Sequence, residues 1–171
     1  MIEHVPQVFL IEGADATGKS SFVSRMVVHA AMADYPEPRV IHNDASDHKL
    51  PGSLYRHYRA QLLDAVEFRD VHGVSTYIDR SFLSELVYGR LYRGRSRITP
   101  RQARRLERLA DRLGVVLLGM TAELNIRRLR VRARGETWTA KDAFVGAEYS
   151  QQFRESGRWV IADSTPAHVS N

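Results

Sequence analysis

The sequence predicts a one-domain, three-layer α/β protein, a five-stranded parallel sheet with helices on both faces. Three observations carry this. Short apolar runs of strand length alternate with helical-period segments from one end of the chain to the other. Near the start, Gly13-Ala14-Asp15-Ala16-Thr17-Gly18-Lys19-Ser20 fits G-x-x-x-x-G-K-[ST] between an apolar run and an amphipathic helix. The length, 171 residues of which 43% are hydrophobic, suits one core and one domain over 1–171.

The elements follow in order. Val8-Phe-Leu-Ile11 lies in a first strand at about 7–12, and Phe22, Val23, Met26, Val27 and Ala30 repeat at helical spacing up to about residue 33. Tyr35-Pro-Glu-Pro38 breaks that helix, and Arg39-Val-Ile-His42 is a second strand. A polar stretch, 43–52, contains Asp44 and Asp47 at a strand end, ahead of a helix at about 53–70. Val74–Ile78 is a third strand, followed by a helix from Phe82 to Tyr92. Thr99-Pro100 gives the next helix an N-cap and a proline at its first position, and Gly114 ends it. Val115–Met120 is the fourth strand, 122–134 and 139–155 are helical, and Arg158–Ala162 is the fifth strand. In such a sheet the ligand crevice lies at the carboxyl ends of the strands.

Composition narrows the function. There is no cysteine, so disulfides and thiolate metal sites are excluded. No apolar window approaches the length of a membrane span, and the first residues lack a signal-peptide pattern, which leads to an expectation of a cytoplasmic protein, in the host cytoplasm if the gene is a phage's. The formal charge is +5, and only Lys19, Lys49 and Lys141 are lysines; every other basic residue is arginine, which binds phosphate bidentately. The Arg90–Arg112 cluster reads either as solvated helix faces or as attraction to a phosphate polymer. His42, His48, His57 and His72 have no metal-ligand spacing and read as surface or loop residues.

The glycine-rich turn is a nucleotide site. Gly13 and Gly18 allow close backbone approach, and the N–H groups of Ala14, Ala16, Thr17 and the helix start at Ser20 and Ser21 can wrap phosphates. Lys19 can reach the β- and γ-phosphates and the Ser20 hydroxyl can ligate Mg²⁺, so ATP and Mg²⁺ are the expected cofactors. Asp15, a negative charge inside such a loop, either turns to an acceptor's sugar hydroxyl or hydrogen-bonds the loop backbone. Asp79-Arg80 at the end of the third strand reads as acceptor and phosphate contacts, with Asp79 reaching magnesium through water, or as a helix cap with a salt-bridged arginine. Arg127, Arg128, Arg130, Arg132 and Arg134 share one short helix, with 128 and 132 on one face. They serve either a lid at about 122–140 that closes over ATP or a solvated basic helix. Tyr55, Arg56 and Tyr58 can line an acceptor pocket, though packing explains Tyr58 as well.

Taken together these residues resemble the thymidylate kinase and deoxynucleoside kinase group of P-loop kinases. Ile11-Glu12-Gly13-Ala-Asp15-Ala-Thr-Gly18-Lys19-Ser20 looks like the thymidylate kinase loop, and Asp79-Arg80-Ser81-Phe-Leu-Ser84-Glu-Leu-Val-Tyr88 is similar to the family's Asp-Arg segment. The resemblance implies that Asp15 meets the acceptor's 3′-hydroxyl and that Asp79 and Arg80 meet its phosphate and magnesium-bound water. It also implies that Ser84 and Tyr88 line the nucleoside pocket, that Arg128 and Arg132 contact phosphate from the lid, and that Asp163-Ser-Thr-Pro166 is the adenine loop. Gly89 stands where thymidylate kinases often carry a polar base-contacting side chain, and no Phe-Pro-x-Arg segment follows the second strand. The implied activity is ATP-dependent phosphorylation of a deoxynucleoside monophosphate, dTMP or a modified pyrimidine nucleotide foremost. The alternatives are a deoxynucleoside kinase, a kinase acting on a hydroxyl within a nucleic acid such as a modified pyrimidine base in DNA, and a nucleotide-binding switch. A homodimer is compatible with the resemblance, and a membrane partner is not expected.

Overall fold

In a computed structural model, residues 5–43 and 53–166 are described. Asp44, Asp47 and His48 lie outside them. The chain alternates as β1 (Val8–Glu12), α1 (Lys19–Met32), β2 (Arg39–His42), α2 (Leu54–His72), β3 (Thr76–Asp79), α3 (Phe82–Arg93), α4 (Pro100–Arg112), β4 (Val116–Thr121), α5 (Leu124–Ala133), α6 (Ala140–Ser156) and β5 (Val160–Asp163). All strand pairings are parallel, in the order β2-β3-β1-β4-β5. The expected five-stranded α/β architecture is present.

Side chains of alternate residues leave a strand on opposite faces, and this splits the core in two. Val8 and Leu10 of β1, Ile78 of β3 and Leu117 of β4 pack with buried residues of α2, α3, α4 and α6, including Leu62, Phe82, Leu106 and Tyr149. Ile11, Tyr77, Leu118 and Met120 face the other way, onto Val23 of α1. The coverage is uneven: most of the helical mass lies on one face.

Local chemistry explains the helix ends. Thr99 and Gln102 form a capping box at α4 with Pro100 at its first position, and Thr139 with Asp142 forms another at α6. Gly73 ends α2 and Gly157 ends α6 in the left-handed region, where a Cβ would be strained. β3 starts two residues later than sequence periodicity suggests, because the ladder engages where Thr76 N–H donates to the Gln7 carbonyl (2.9 Å). β3 also runs one residue further than expected and ends at Asp79, paired in register with Ile11 at the mouth of the glycine loop.

Among the described residues no helix is long and apolar enough to cross a membrane.

Candidate active site

The carboxyl ends of β1, β3 and β4 converge on the loop from Gly13 to Gly18. Gly13 has φ +152°, and a Cβ there would run into the carbonyl oxygen of Met120 at the end of β4, so the loop crosses the sheet end only as glycine. Ala16 reaches φ +61° without that freedom, a backbone strain of the kind that gathers at ligand sites. The Thr17 hydroxyl donates to the Ala14 carbonyl (2.8 Å) and closes the turn. Ser20 and Ser21, in the first turn of α1, line a cavity of about 670 Å³ together with Ala16, Gly18, Lys19 and Arg25.

Lys19 is only 6% exposed, and its Nζ donates to the carbonyls of Gly13 and Ala14, both at 2.8 Å. Burial lowers its pKa to about 8, with Arg80 adding repulsion; Asp15, Asp79 and Glu12 pull partly the other way. At pH 8 about half of Lys19 is therefore neutral, and a phosphate anion placed against it would restore the charge. ATP binding is expected to take up as much as about half a proton from this group at pH 8 and almost none at pH 6. Calorimetry in two buffers of different ionisation enthalpy measures it; proton release at pH 8 would contradict the assignment. The same depressed pKa has a sign for stability. Between about pH 8 and the ordinary lysine value the unfolded chain holds more protons than the folded one, so stability contributed by this group rises with pH.

A second cavity, about 550 Å³, opens on the other side of Asp15 and Arg80. Both residues line both cavities and form the wall between them. Arg80 Nη2 donates to the Asp15 carboxylate in an ion pair, the Tyr88 hydroxyl donates to the other oxygen (2.9 Å), and the guanidinium sits 5.2 Å over the Tyr88 ring. Burial pushes the Asp15 carboxyl up, but Arg80, Lys19 and the Tyr88 hydroxyl together outweigh it and hold the group below the usual carboxylate range. Arg80 has φ +66°, strained for a residue with a Cβ, and the Asn43 amide donates to its carbonyl (2.6 Å). Asn43 is itself locked to Gln61 by reciprocal amide bonds of 3.0 and 2.9 Å. The Asp15 side chain therefore bonds Arg80 and Tyr88 across the wall, not its own loop backbone.

Asp79 faces the glycine-loop cavity. One carboxylate oxygen, Oδ2, lies 3.2 Å from His42 Nδ1; the other, Oδ1, is buried with no hydrogen-bond partner among the described residues. His42, read from sequence as a surface residue, has an exposed side chain but touches the site. No group of three or more His, Cys, Asp or Glu that could hold a metal stands among the described residues. Magnesium needs few protein ligands and prefers hard oxygens, so the unpaired Asp79 Oδ1 and the Ser20 hydroxyl fit it.

Ser84 and Tyr88 line this second cavity, with Tyr58, Glu85, Tyr92 and Arg93. Tyr55 and Arg56 are not among its described lining residues; α2 turns Tyr58 inward and leaves Arg56 exposed. Glu85 is fully buried and accepts from Arg93 Nη2 (2.6 Å to each oxygen) and Arg97 N–H (2.8 Å). Gly89 has a packing reason: a Cβ there would lie 2.9 Å from both Arg93 Nη2 and Ser96 Cα and 3.0 Å from Glu85 Oε1.

The arginine helix α5 presents a different face from the one expected. Arg128 and Arg132 are exposed and line neither cavity among the described residues. Arg127 and Arg130, one turn apart, face the loop. Arg127 Nε donates to the Asp15 carbonyl (3.0 Å) and Nη2 to the Asp142 carbonyl (2.8 Å), over the Trp138 ring at 5.2 Å. Arg130 donates to the Ala16 carbonyl (3.0 Å), the Ser164 hydroxyl (2.8 Å) and the Ser164 carbonyl (2.7 Å), and with Arg134 it lines the glycine-loop cavity. The Ser164 hydroxyl donates to the Thr17 carbonyl (2.8 Å), so the loop after β5 clamps the glycine loop. Asp163 lines the same cavity and accepts from Thr165 N–H (2.9 Å) and hydroxyl (2.7 Å), which sets the turn.

Glu12 was invisible in the sequence as a site residue. Fully buried at the end of β1, it accepts from the backbone N–H of Ser81 (2.8 Å), Leu83 (3.1 Å) and Ser84 (3.1 Å), and from the Ser84 hydroxyl (2.6 Å). Tyr149 of α6 donates to it as well (3.2 Å). Burial raises its pKa, and the bonds from Ser84 and Ser81 work against that rise. Glu12 thus caps α3, whose own N-cap Ser81 makes no side-chain cap, and holds α3 against the sheet beside Arg80.

Fold and loop together define an α/β protein with a glycine-rich loop, of the G-x-x-x-x-G-K-S pattern, at the sheet's switch point. Solved structures share the fold. YorR protein from Bacillus subtilis, in complex with phosphorylated GDP, superposes with a TM-score of 0.70 at 20% identity, over 92% of this chain and 85% of that one. Deoxyadenosine kinase from M. mycoides with dCTP bound gives a TM-score of 0.54 at 9% identity, over 92% and 90%. The same enzyme with the products dCMP and a flexible dCDP gives 0.51 at 8%, over 92% and 90%. No family model matches the chain. No curated protein matches it either.

Proposed function

We propose that the chain is an ATP-dependent kinase that transfers the γ-phosphoryl group to a deoxynucleoside monophosphate, dTMP or a modified pyrimidine nucleotide foremost. The observation that carries this is the pair of cavities sharing Asp15 and Arg80 as a common wall. One holds the glycine loop; the other is built from tyrosines, Ser84 and Arg93, a largely apolar slot with a few polar groups, suited to a nucleoside. The fold shared with deoxyadenosine kinase supports the reading.

The residues divide the work. Lys19 and the loop N–H groups hold the triphosphate, and Arg130 and Arg134 lie against the same space. Ser20 and Asp79 would hold Mg²⁺, which supplies charge neutralisation when bound. Asp15 presents a carboxylate to an acceptor sugar hydroxyl, and Arg80 presents a guanidinium to the acceptor phosphate. An oxygen of that phosphate attacks the γ-phosphorus, the bond to the β–γ bridging oxygen breaks, and ADP leaves. The attacking oxygen is already anionic, so positioning suffices and no base is needed.

A second reading, a nucleoside acceptor, is favoured by one observation: Arg80 is already neutralised by Asp15. A sugar hydroxyl must lose its proton, and Asp79 would take it. Arg80→Ala separates the two. With labelled ATP, a loss of about 10²-fold or more in turnover of dTMP, with thymidine unaffected as a poor acceptor, is expected from the monophosphate kinase. Preferred use of thymidine by the unaltered protein, with equal loss in the variant, would overturn it.

A further inference from the structure

We propose that the groove between α2 and α4 is a docking surface for the sugar–phosphate backbone of a polynucleotide. The groove, about 310 Å³, is lined by Tyr55 and Arg59 of α2 and by Arg105, Arg108, Leu109 and Arg112 of α4. This surface stands on the groove alone and does not depend on the kinase reading.

The case rests on four exposed arginines gathered in one groove. Many arginines of this protein have anionic partners: Arg39 with Asp64, Arg69 with Asp70, Arg90 with Glu148, Arg93 and Arg97 with Glu85, Arg104 with Glu107 and Glu155. Glu107 is buried beneath α4, bonded to Arg104 and the Trp159 indole (2.9 Å), and Asp111 meets Arg158. The four groove arginines are exposed, and none makes an ion pair among the described residues. Four like charges converging on one groove repel each other, and an anion relieves that.

Shape selects the kind of anion. Positions 105, 108 and 112 fall at helical spacing on one face and span about 10 Å of axis. A strand with several phosphates in line can meet all three, whereas a single phosphate reaches only one or two guanidiniums. Tyr55, half-buried at the end of the groove, offers a ring on which a base can stack. Tyr58, one turn along α2, lines the acceptor-side cavity, so the strand would pass beside that cavity.

The test is fluorescence anisotropy with a labelled single-stranded DNA of about 20 nucleotides, titrated between 50 and 200 mM salt. The triple variant Arg105→Gln, Arg108→Gln, Arg112→Gln is expected to flatten the log K against log salt slope by about 2, about 0.7 per lost phosphate contact. Its affinity at 0.1 M salt should fall by about 100-fold. The corresponding lysine triple variant should restore most of the slope, and matching thermal melts show that the fold is retained. Three results would overturn the proposal: a triple variant that binds like the unaltered protein, full displacement of the oligonucleotide by ATP, or equal competition by polyglutamate.

Discussion

Lys19→Ala is expected to reduce phosphoryl transfer by at least about 10²–10³-fold, whatever the acceptor. The ammonium group is held against the Gly13 and Ala14 carbonyls of the loop proposed to hold the triphosphate, and a single preorganised donor aimed at developing charge contributes on that scale. The variant should nevertheless fold. Burial and Arg80 already disfavour the charge, and alanine removes an ammonium that the folded state holds with a lowered pKa. The expected combination is an unchanged or raised melting temperature with abolished turnover, measured by thermal melting and by labelled ATP side by side. Undiminished turnover would show that the loop does not bind the transferring nucleotide.

Glu12→Ala is expected to have the largest effect on stability. Its carboxylate serves three backbone N–H groups at the start of α3 and the Ser84 hydroxyl, all away from water. Alanine leaves those donors without an acceptor and opens a void beside Tyr149. The loss is about 3–5 kcal/mol, a large share of a domain's total stability, and corresponds to a fall in Tm on the order of 10 °C. Glu12→Gln keeps one acceptor oxygen and should lose less than half as much. Equal melting of the alanine variant and the unaltered protein would show that α3 is capped some other way.

How much of this was legible in the sequence depends on how local each signal is. The glycine loop, the strand–helix alternation and the Thr99-Pro100 helix start are encoded by neighbours, and all stand where the sequence puts them. The α5 arginines show the limit of periodicity. Spacing tells which residues share a face, but it leaves open which face meets the loop. Burial of Val131 with Arg127 turns the 127/130 side inward and sends Arg128 and Arg132 outward. Tyr55 and Arg56 fail for the same reason on α2. Glu12, Tyr149 and Ser84 meet across separations of 72 and 137 residues, and Glu85 meets Arg93 two turns on along α3, so no short motif announces them. His42 reaches Asp79 only because β2 and β3 are adjacent in register.

The central claim is that the two cavities meeting at Asp15 and Arg80 are halves of one transfer site. Calorimetry with a bisubstrate ligand, thymidine and adenosine joined 5′ to 5′ through five phosphates, tests it most directly. Occupying both halves should make it bind about 10²-fold or more tightly than ATP, and both Lys19→Ala and Asp15→Ala should weaken it. A bisubstrate that binds no better than ATP, and that ignores Asp15→Ala, would contradict the account.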